Sequence, residues 1–268
     1  TRYPFEIVKW ATAEELTSRV LIDEIRPDLI IADMQDTKIR AALSGWYADI
    51  ASPLSLPIFL FSDVYEEVFE RVALTHVDPY ALIRKSLSTP LSYRLFKRAS
   101  DIVGGFLLLV VMCITLPFVY SATLVEKNGK ELFIKQKRFG LRGRDMYVYK
   151  LRSMTRNDAG SGTWVGEHTD NVVTKVGEFI RKTSIDEFPQ ALNILKGELS
   201  LIGPRTDILG LGEKLSQTLP HYNLRYLVTP GITGWAQVTQ IYEEGHFSPQ
   251  SVGESKMRLA YDFYYLKK

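Results

Sequence analysis

The spacing of apolar and polar positions divides the chain into three parts. In residues 1–89, the short apolar runs "FEIVKW", "DLIIAD" and "PIFLF" predict buried strands. Between them, "AEELTSRVLIDEI" and "DTKIRAALSGWYADIA" repeat their apolar residues at helical intervals. "IRPDLIIAD" reads as a helix stop, a proline and a strand entry. This alternation predicts a three-strand fragment of a parallel α/β layer. It contains no G-x-G-x-x-G fingerprint, so no dinucleotide site is assigned and a packing or accessory role is expected. "SLSTPLS", residues 86–92, reads as a linker.

From Ile102 to Val125 the alternation stops, and 24 residues pass without a charge. As a helix this run is about 36 Å long, enough to cross a hydrocarbon core of about 30 Å. Pro117 falls inside it, where proline removes a backbone hydrogen bond and bends a helix. Basic residues flank both ends: Arg94, Lys97 and Arg98 before, Lys127, Lys130, Lys135, Lys137 and Arg138 after. Lys and Arg mark cytoplasmic flanks. Two positive flanks therefore predict a helix, within residues 90–130, that enters the bilayer, breaks at Pro117 and returns to the same face. A plain transmembrane helix, whose second basic flank serves an active site, is the alternative. A buried soluble helix is disfavoured, because helix-length runs this apolar are rare inside small soluble domains.

Beyond residue 131, "ELFIKQKRFGLRGRDMYVYKLRSM" predicts a β-hairpin that turns at Gly140 and Gly143. Residues 127–156 hold ten Lys or Arg against two acids, a local balance of +8 in a chain whose net charge is +2. The overall balance excludes a generally basic nucleic-acid binder. Beside the apolar run, the patch suits anionic headgroups, at about 1 kcal/mol per basic residue, or a phosphorylated substrate held in a cleft. The 46% hydrophobic and 24% charged content of the 268 residues is that of an ordinary globular chain. A single cysteine, Cys113, excludes an internal disulfide framework and a Cys-based zinc site, and suits a reducing compartment. The four histidines lack metal-ligand spacing. The first residue is Thr rather than Met, so the chain reads as a piece of a longer protein, with no signal peptide in it. The aromatic segments "TLPHYNLRYLVTPGITGWAQV" and "YDFYYLKK" suit either interfacial contact or core packing.

"RKTSIDEFPQALNILKGELSLIGPR", residues 181–205, sets Asp186 beside Glu187. "SIDE" fits a capping box, with Ser184 as N-cap and Glu187 reaching back, and the helix dipole favours acids in a first turn in any case. The surrounding cations open a second reading. Lys150 and Arg152 are two residues apart on a predicted strand and so share a face. Arg181 precedes the dyad, and Arg205 follows in "GPR". A helix N-terminus favours phosphate and keeps an aspartate ionised, and arginine forks clamp phosphate oxygens. One carboxylate can then attack phosphorus while its neighbour holds Mg²⁺. Two acids, several cations and a helix start are the parts of phosphoryl transfer.

Four blocks, "KRASDIVGGFLLLV…LP", "QKRFGLRGRDMYVYKLRSM", "FIRKTSIDEFPQALNILKGELSLIGPR" and "VTPGITGWAQV", occur in the order seen in bacterial polyprenyl-phosphate sugar-1-phosphate transferases. Residues 93–268 resemble this monotopic phosphoglycosyl transferase family. The resemblance implies an α/β and α+β architecture on the cytoplasmic face of the inner membrane. Its expected parts are a partial Rossmann-like accessory domain (1–89), a re-entrant membrane helix region (90–130) and a mainly helical catalytic domain with a small β-hairpin (131–268). It also implies a reaction with Mg²⁺ as cofactor. An aspartate attacks the sugar-bearing phosphate of a UDP-sugar and expels UMP, and the sugar-phosphoryl enzyme then transfers to undecaprenyl phosphate. That step starts exopolysaccharide, capsule or O-antigen repeat units.

Carried onto this chain, the resemblance makes Asp186 the nucleophile and Glu187 the metal-associated partner, the two acids together forming the metal site. Lys150, Arg181 and Arg205 become phosphate contacts, with Arg152 a weaker one. Arg225 and Gln237 are expected to line the nucleotide pocket, and Asp262 in "LAYDFYYLK" matches an acid of the C-terminal motif. Membrane lipids are expected partners, nucleic acid is not, and a homo-oligomer is compatible. Three departures stand out: Leu116-Pro117 where short members have Ser-Pro, "GPRT" where G-P-R-P is usual, and an end at Lys268 where members usually run on. A non-catalytic membrane scaffold, another Mg-dependent phosphotransferase or lipid phosphatase, and a nucleic-acid binder using the basic hairpin are the alternatives.

Overall fold

The computed structural model describes residues 6–17, 20–48, 56–126, 132–154, 173–242 and 248–268, which fall into two units, Thr1–Val77 and Asp78–Lys268. In the first unit, α1 (Ala13–Thr17) and α2 (Val20–Ile25) precede β1 (Ile30–Ala32), α3 (Thr37–Ala48), β2 (Ile58–Leu60) and α4 (Phe61–Phe69). β1 and β2 pair in parallel with Ile30 opposite Ile58, and Leu16, Ala32 and Leu43 form a small core. "DLIIAD" and "PIFLF" are strands as expected, whereas "FEIVKW" is not. Residues 6–10 have no regular structure, and Ile7, Val8 and Trp10 are exposed. An apolar run becomes a strand only where a sheet edge and a buried face receive it, and here neither does. The remaining parallel pair is an α/β element too small to define a Rossmann sheet.

The second unit opens with α5 (Pro79–Leu87). Asp78 caps it by accepting from the Tyr80 N–H at 2.9 Å, and Pro79 stands in the first turn. α5 packs on the C-terminal helix, so the division falls at Val77/Asp78 rather than after residue 89. The expected linker shrinks to Ser88–Pro90, because α6 (Leu91–Glu126) begins immediately after it.

α6 is one helix of 36 residues, and its Leu91–Leu124 stretch is long and apolar enough to cross a membrane. The helix continues through Pro117 instead of ending there. Hydroxyls serve the turns on either side: Thr115 Oγ1 donates to the Val111 carbonyl at 3.0 Å and Ser121 Oγ to that of Pro117 at 2.8 Å. Asp101, Gly105, Met112 and Val119 are buried, with Leu108 and Leu116 partly so, at three- and four-residue intervals. One face of α6 is thus covered by its own unit over about 33 Å, from Lys97 to Val119. The opposite face, including Val103, Phe106, Leu107, Val110, Ile114 and Phe118, stays exposed.

The basic flank that precedes the apolar run makes contacts within its own unit. Lys97 Nζ donates to Ser200 Oγ at 2.7 Å and to the Ile202 carbonyl at 2.9 Å. The Arg98 guanidinium caps two carbonyls, Ile194 and Leu195, both at 2.6 Å. Asp101 accepts from Ser200 Oγ and from the Leu201 N–H, each at 2.9 Å. Lys97 and Arg98 therefore fasten the helix to the globular part.

The hairpin forms as expected: β3 (Phe133–Phe139) pairs antiparallel with β4 (Asp145–Leu151) around a tight turn at Leu141–Gly143. Gly143 adopts φ 72°, the left-handed region that favours glycine. α7 (Lys175–Lys182) follows, with Thr174 as its N-cap, accepting from the Gly177 N–H at 2.8 Å. Next come a 3₁₀ segment at Ile185–Gln190, α8 (Ala191–Lys196) and β5 (Ser200–Ile202). α9 (Leu209–Thr218), a second 3₁₀ segment at Tyr222–Leu227, β6 (Gly231–Thr233), α10 (Trp235–Thr239) and α11 (Val252–Lys267) complete the unit. β5 and β6 pair in parallel, Ser200 opposite Gly231. Tyr222, Tyr226, Tyr261 and Phe263 are buried, so core packing takes these aromatic residues, not an interface.

Gly177 sits where α7 crosses the end of the hairpin, and a Cβ there would lie 1.9 Å from the Ser153 carbonyl oxygen. Backbone cannot yield as a flexible side chain does. Gly177→Ala is expected to cost about 3 kcal/mol, a drop of roughly 6–12 °C in melting temperature for a unit of this size. Thermal unfolding in detergent checks this, and a loss under 2 °C or so would contradict the packing.

Candidate active site

Three segments converge. β4 supplies Lys150, the 3₁₀ segment Ile185–Gln190 supplies Asp186 and Glu187, and the turn after β5 supplies Arg205. The expected capping box does not form. Ser184 is left-handed at φ 58°, away from the extended conformation of an N-cap, and its side chain caps nothing. The Glu187 N–H donates to the Ser184 carbonyl at 3.1 Å instead. The dyad also lies a full segment ahead of α8, so no α-helix N-terminus bears on it. The positive field there comes from side chains.

Glu187 is the hub. Lys150 Nζ meets its Oε1 at 2.8 Å, and Arg205 grips both oxygens, Nη1 to Oε2 at 3.1 Å and Nη2 to Oε1. This is a fork-on-carboxylate contact, the strong form of ion pair. Burial opposes ionisation of Glu187, but Arg205 and Lys150 outweigh it and hold the carboxyl well below the usual range. The same pairing raises Arg205, whereas burial draws Lys150 down against the pull of Glu187.

Asp186 differs in kind. It is 8% exposed, and among the described residues no hydrogen bond or ion pair engages its carboxylate. Burial pushes its pKa up, while Lys150, Arg181 and Arg205 oppose that from a distance and Glu187 adds to it. The expectation that a helix dipole keeps this group ionised is therefore replaced by a contest between burial and nearby cations. Arg181 is exposed in the last turn of α7 and contributes only its field. Arg152 lies just past the end of β4, partly buried, so the shared strand face expected for it and Lys150 ends at Leu151.

Two expected substrate contacts lie elsewhere. Arg225 and Asp262 are each 1% exposed and pair with one another at 2.7 Å. Asp207, which the sequence did not single out, is the centre of their network. It accepts from Tyr222 at 2.8 Å, Tyr226 at 2.9 Å, Arg258 at 2.7 Å and Arg225. Burial opposes the charge on Asp207, yet the two arginines and two tyrosines hold its carboxyl far below the usual range. For Asp262 burial prevails and the pKa rises. Among the described residues these charges pair with one another. The network does reach the site from behind, since Arg225 Nη2 donates to the Arg205 carbonyl at 2.6 Å. Gln237 lies closer in: its Nε2 and Arg205 Nη1 share the Ile232 carbonyl at 3.1 and 3.3 Å. The Gln237 Oε1 is buried and has no partner among the described residues.

The donor set limits which metal the site could hold. Among the described residues no group of three or more His, Cys, Asp or Glu side chains gathers, which disfavours a cage for zinc or calcium. Two adjacent carboxylates, one without a partner, fit Mg²⁺, which keeps waters and takes substrate phosphates as its other ligands.

Fold and site together define a class: a protein with a buried carboxylate that has no partner among the described residues, set amid cations and built in the same unit as a helix of membrane-crossing length. Residues 92–268 match the family described as bacterial sugar transferase, and the chain belongs to that family. It is 31% identical over 243 residues to a UDP-N-acetylgalactosamine-undecaprenyl-phosphate N-acetylgalactosaminephosphotransferase of Aeromonas hydrophila, covering 91% of this chain and 55% of the relative. It is 34% identical over 220 residues to a UDP-glucose:undecaprenyl-phosphate glucose-1-phosphate transferase of Escherichia coli K12, covering 81% and 45%. A protein of the same name from Caulobacter vibrioides is 31% identical over 225 residues, covering 84% and 80%. The chain thus spans about half the length of the first two relatives.

Proposed function

We propose that this chain carries the catalytic part of an enzyme that moves a sugar-1-phosphate from a UDP-sugar to undecaprenyl phosphate through a covalent aspartyl intermediate. The observation that carries it is the unpaired, nine-tenths-buried carboxylate of Asp186 beside a clamped Glu187. An Asp186 oxygen attacks the phosphorus next to the sugar, the bond from that phosphorus to the bridging oxygen breaks, and UMP leaves. An oxygen of the lipid phosphate then attacks the same phosphorus and releases Asp186. Lys150 and Arg205, held in place by Glu187, neutralise phosphate oxygens as charge develops on them, and Arg181 draws the diphosphate inward. Mg²⁺ held by Asp186 and Glu187 supplies further neutralisation of the phosphate oxygens. The product starts an exopolysaccharide, capsule or O-antigen repeat unit.

The enzyme works at the cytoplasmic face of the inner membrane, with α6 dipping into the bilayer. What supports the dip is the fastening of α6 along one face to its own unit, from Lys97 to Val119. A helix that crossed about 30 Å of hydrocarbon would drag that polar unit in with it.

The test uses the purified chain with a panel of UDP-sugars, Mg²⁺ and undecaprenyl phosphate. UMP release with at least one donor, and sugar-phosphate appearing on the lipid, is the expected result. Release that ends in free sugar phosphate would assign a hydrolase. Silence across the panel would leave the scaffold reading.

A further inference from the structure

β4 belongs to a two-stranded sheet, so β3 pairs only one of its edges. The other edge offers the Tyr147 carbonyl and the Tyr149 N–H to the interior. Asn193, fully buried on α8, meets both: its Nδ2 donates to the Tyr147 carbonyl at 2.7 Å, and its Oδ1 accepts from the Tyr149 N–H at 3.3 Å. The second Nδ2 hydrogen goes to Glu198 Oε2 at 2.7 Å. The backbone sets the orientation of the amide, since a carbonyl can only accept and an N–H can only donate. One side chain thus takes the place of a neighbouring strand, and the next residue of β4 is Lys150, whose Nζ lies 2.8 Å from Glu187.

We propose that Asn193 is a positioning residue: it replaces a third strand at the free edge of β4 and thereby holds Lys150 on Glu187. This rests on the catalytic reading above, although part of its test does not. No other side chain of this size supplies both the donors and the acceptor. A carboxylate in its place faces the Tyr147 carbonyl and Glu198 with no hydrogen to give either. An isosteric leucine leaves a buried carbonyl and N–H unmet. Losing the brace frees β4 to move along its edge, and Lys150 swings from its carboxylate into water.

The test separates positioning from bulk stability in the full chain. Asn193→Asp is expected to lower both melting temperature and donor turnover. Adding Glu198→Gln returns a donor to the new carboxylate and restores most of the melting temperature, but leaves the Tyr147 carbonyl unmet. In that double variant, turnover stays about 10- to 100-fold down with KM for the UDP-sugar changed less. Amine-reactive labelling read by mass spectrometry then finds Lys150 modified faster than in the parent, and Glu198→Gln alone changes neither. Turnover that returns together with the melting temperature, or Lys150 protection unaltered in the double variant, overturns the proposal. Labelling needs no substrate, so it decides the matter even where no donor turns over. If both Asp variants fail to fold, Asn193→Ser, which keeps one donor and one acceptor, carries the same two readouts.

Discussion

Asp186→Asn is expected to lower donor turnover by about four orders of magnitude and to raise the melting temperature at neutral pH. The loss of turnover follows from removing a buried carboxylate that has no partner among the described residues and is flanked by Lys150, Arg181 and Arg205. An amide of the same shape cannot attack phosphorus. The gain in stability follows from linkage. The folded-state pKa of Asp186 is raised, so the native state binds more protons than the unfolded chain between the two pKa values, and stability falls as pH climbs through that window. The cost is complete once pH has passed the raised folded-state value, and the neutral amide removes it. The advantage of the variant should therefore shrink as pH falls toward the ordinary carboxylate range. Such opposition between stability and activity is usual where a site stores strain. Paired melting curves across pH, with intact-mass detection of the sugar-phosphoryl adduct, provide the check. An Asn variant that melts below the parent at pH 7 would make Asp186 an anchor rather than a reactant.

Asp207→Asn is expected to cost about 3–5 kcal/mol, because two buried guanidinium groups then lose the carboxylate that compensates them. That corresponds to a fall of roughly 6–20 °C in melting temperature. The pH dependence runs opposite to that of Asp186. Asp207 is held far below the usual range, so its contribution is complete above the unfolded value near 4 and fades only as pH drops below it. The gap between parent and variant should hold from about pH 5 upward and narrow in acid. Turnover should fall as well, since the Arg205 carbonyl is anchored through Arg225. A variant within 3 °C or so of the parent would show that the tyrosines and Asp262 suffice without this charge.

Local patterns in the sequence translated well into local structure. Gly140 and Gly143 marked the hairpin turn, the α3 and β1 segments formed where periodicity placed them, and Lys150, Asp186, Glu187 and Arg205 do meet. What stayed hidden is the pairing of distant residues. "SIDE" satisfies the spacing of a cap, but the spacing carries no word of Lys150 and Arg205, which bid for the same Glu187 oxygens with full charges. Arg225 and Asp262 look like site residues until Asp207 and Arg258 are found beside them, and nothing in a linear pattern separates a paired charge from a waiting one. "FEIVKW" has the composition of a strand without a sheet to join. Asn193 was legible only as one polar position in "ALNILK", because its partners on β4 lie 44 to 46 residues away.

The clasp formed by Lys97, Arg98 and Asp101 ties the apolar helix to the unit that carries Asp186. In a bilayer, a change in the tilt of the helix would then be carried to that side chain. On the proposed function, donor turnover is therefore expected to change with the acyl-chain length of the surrounding lipid, which activity in bilayers of different thickness checks.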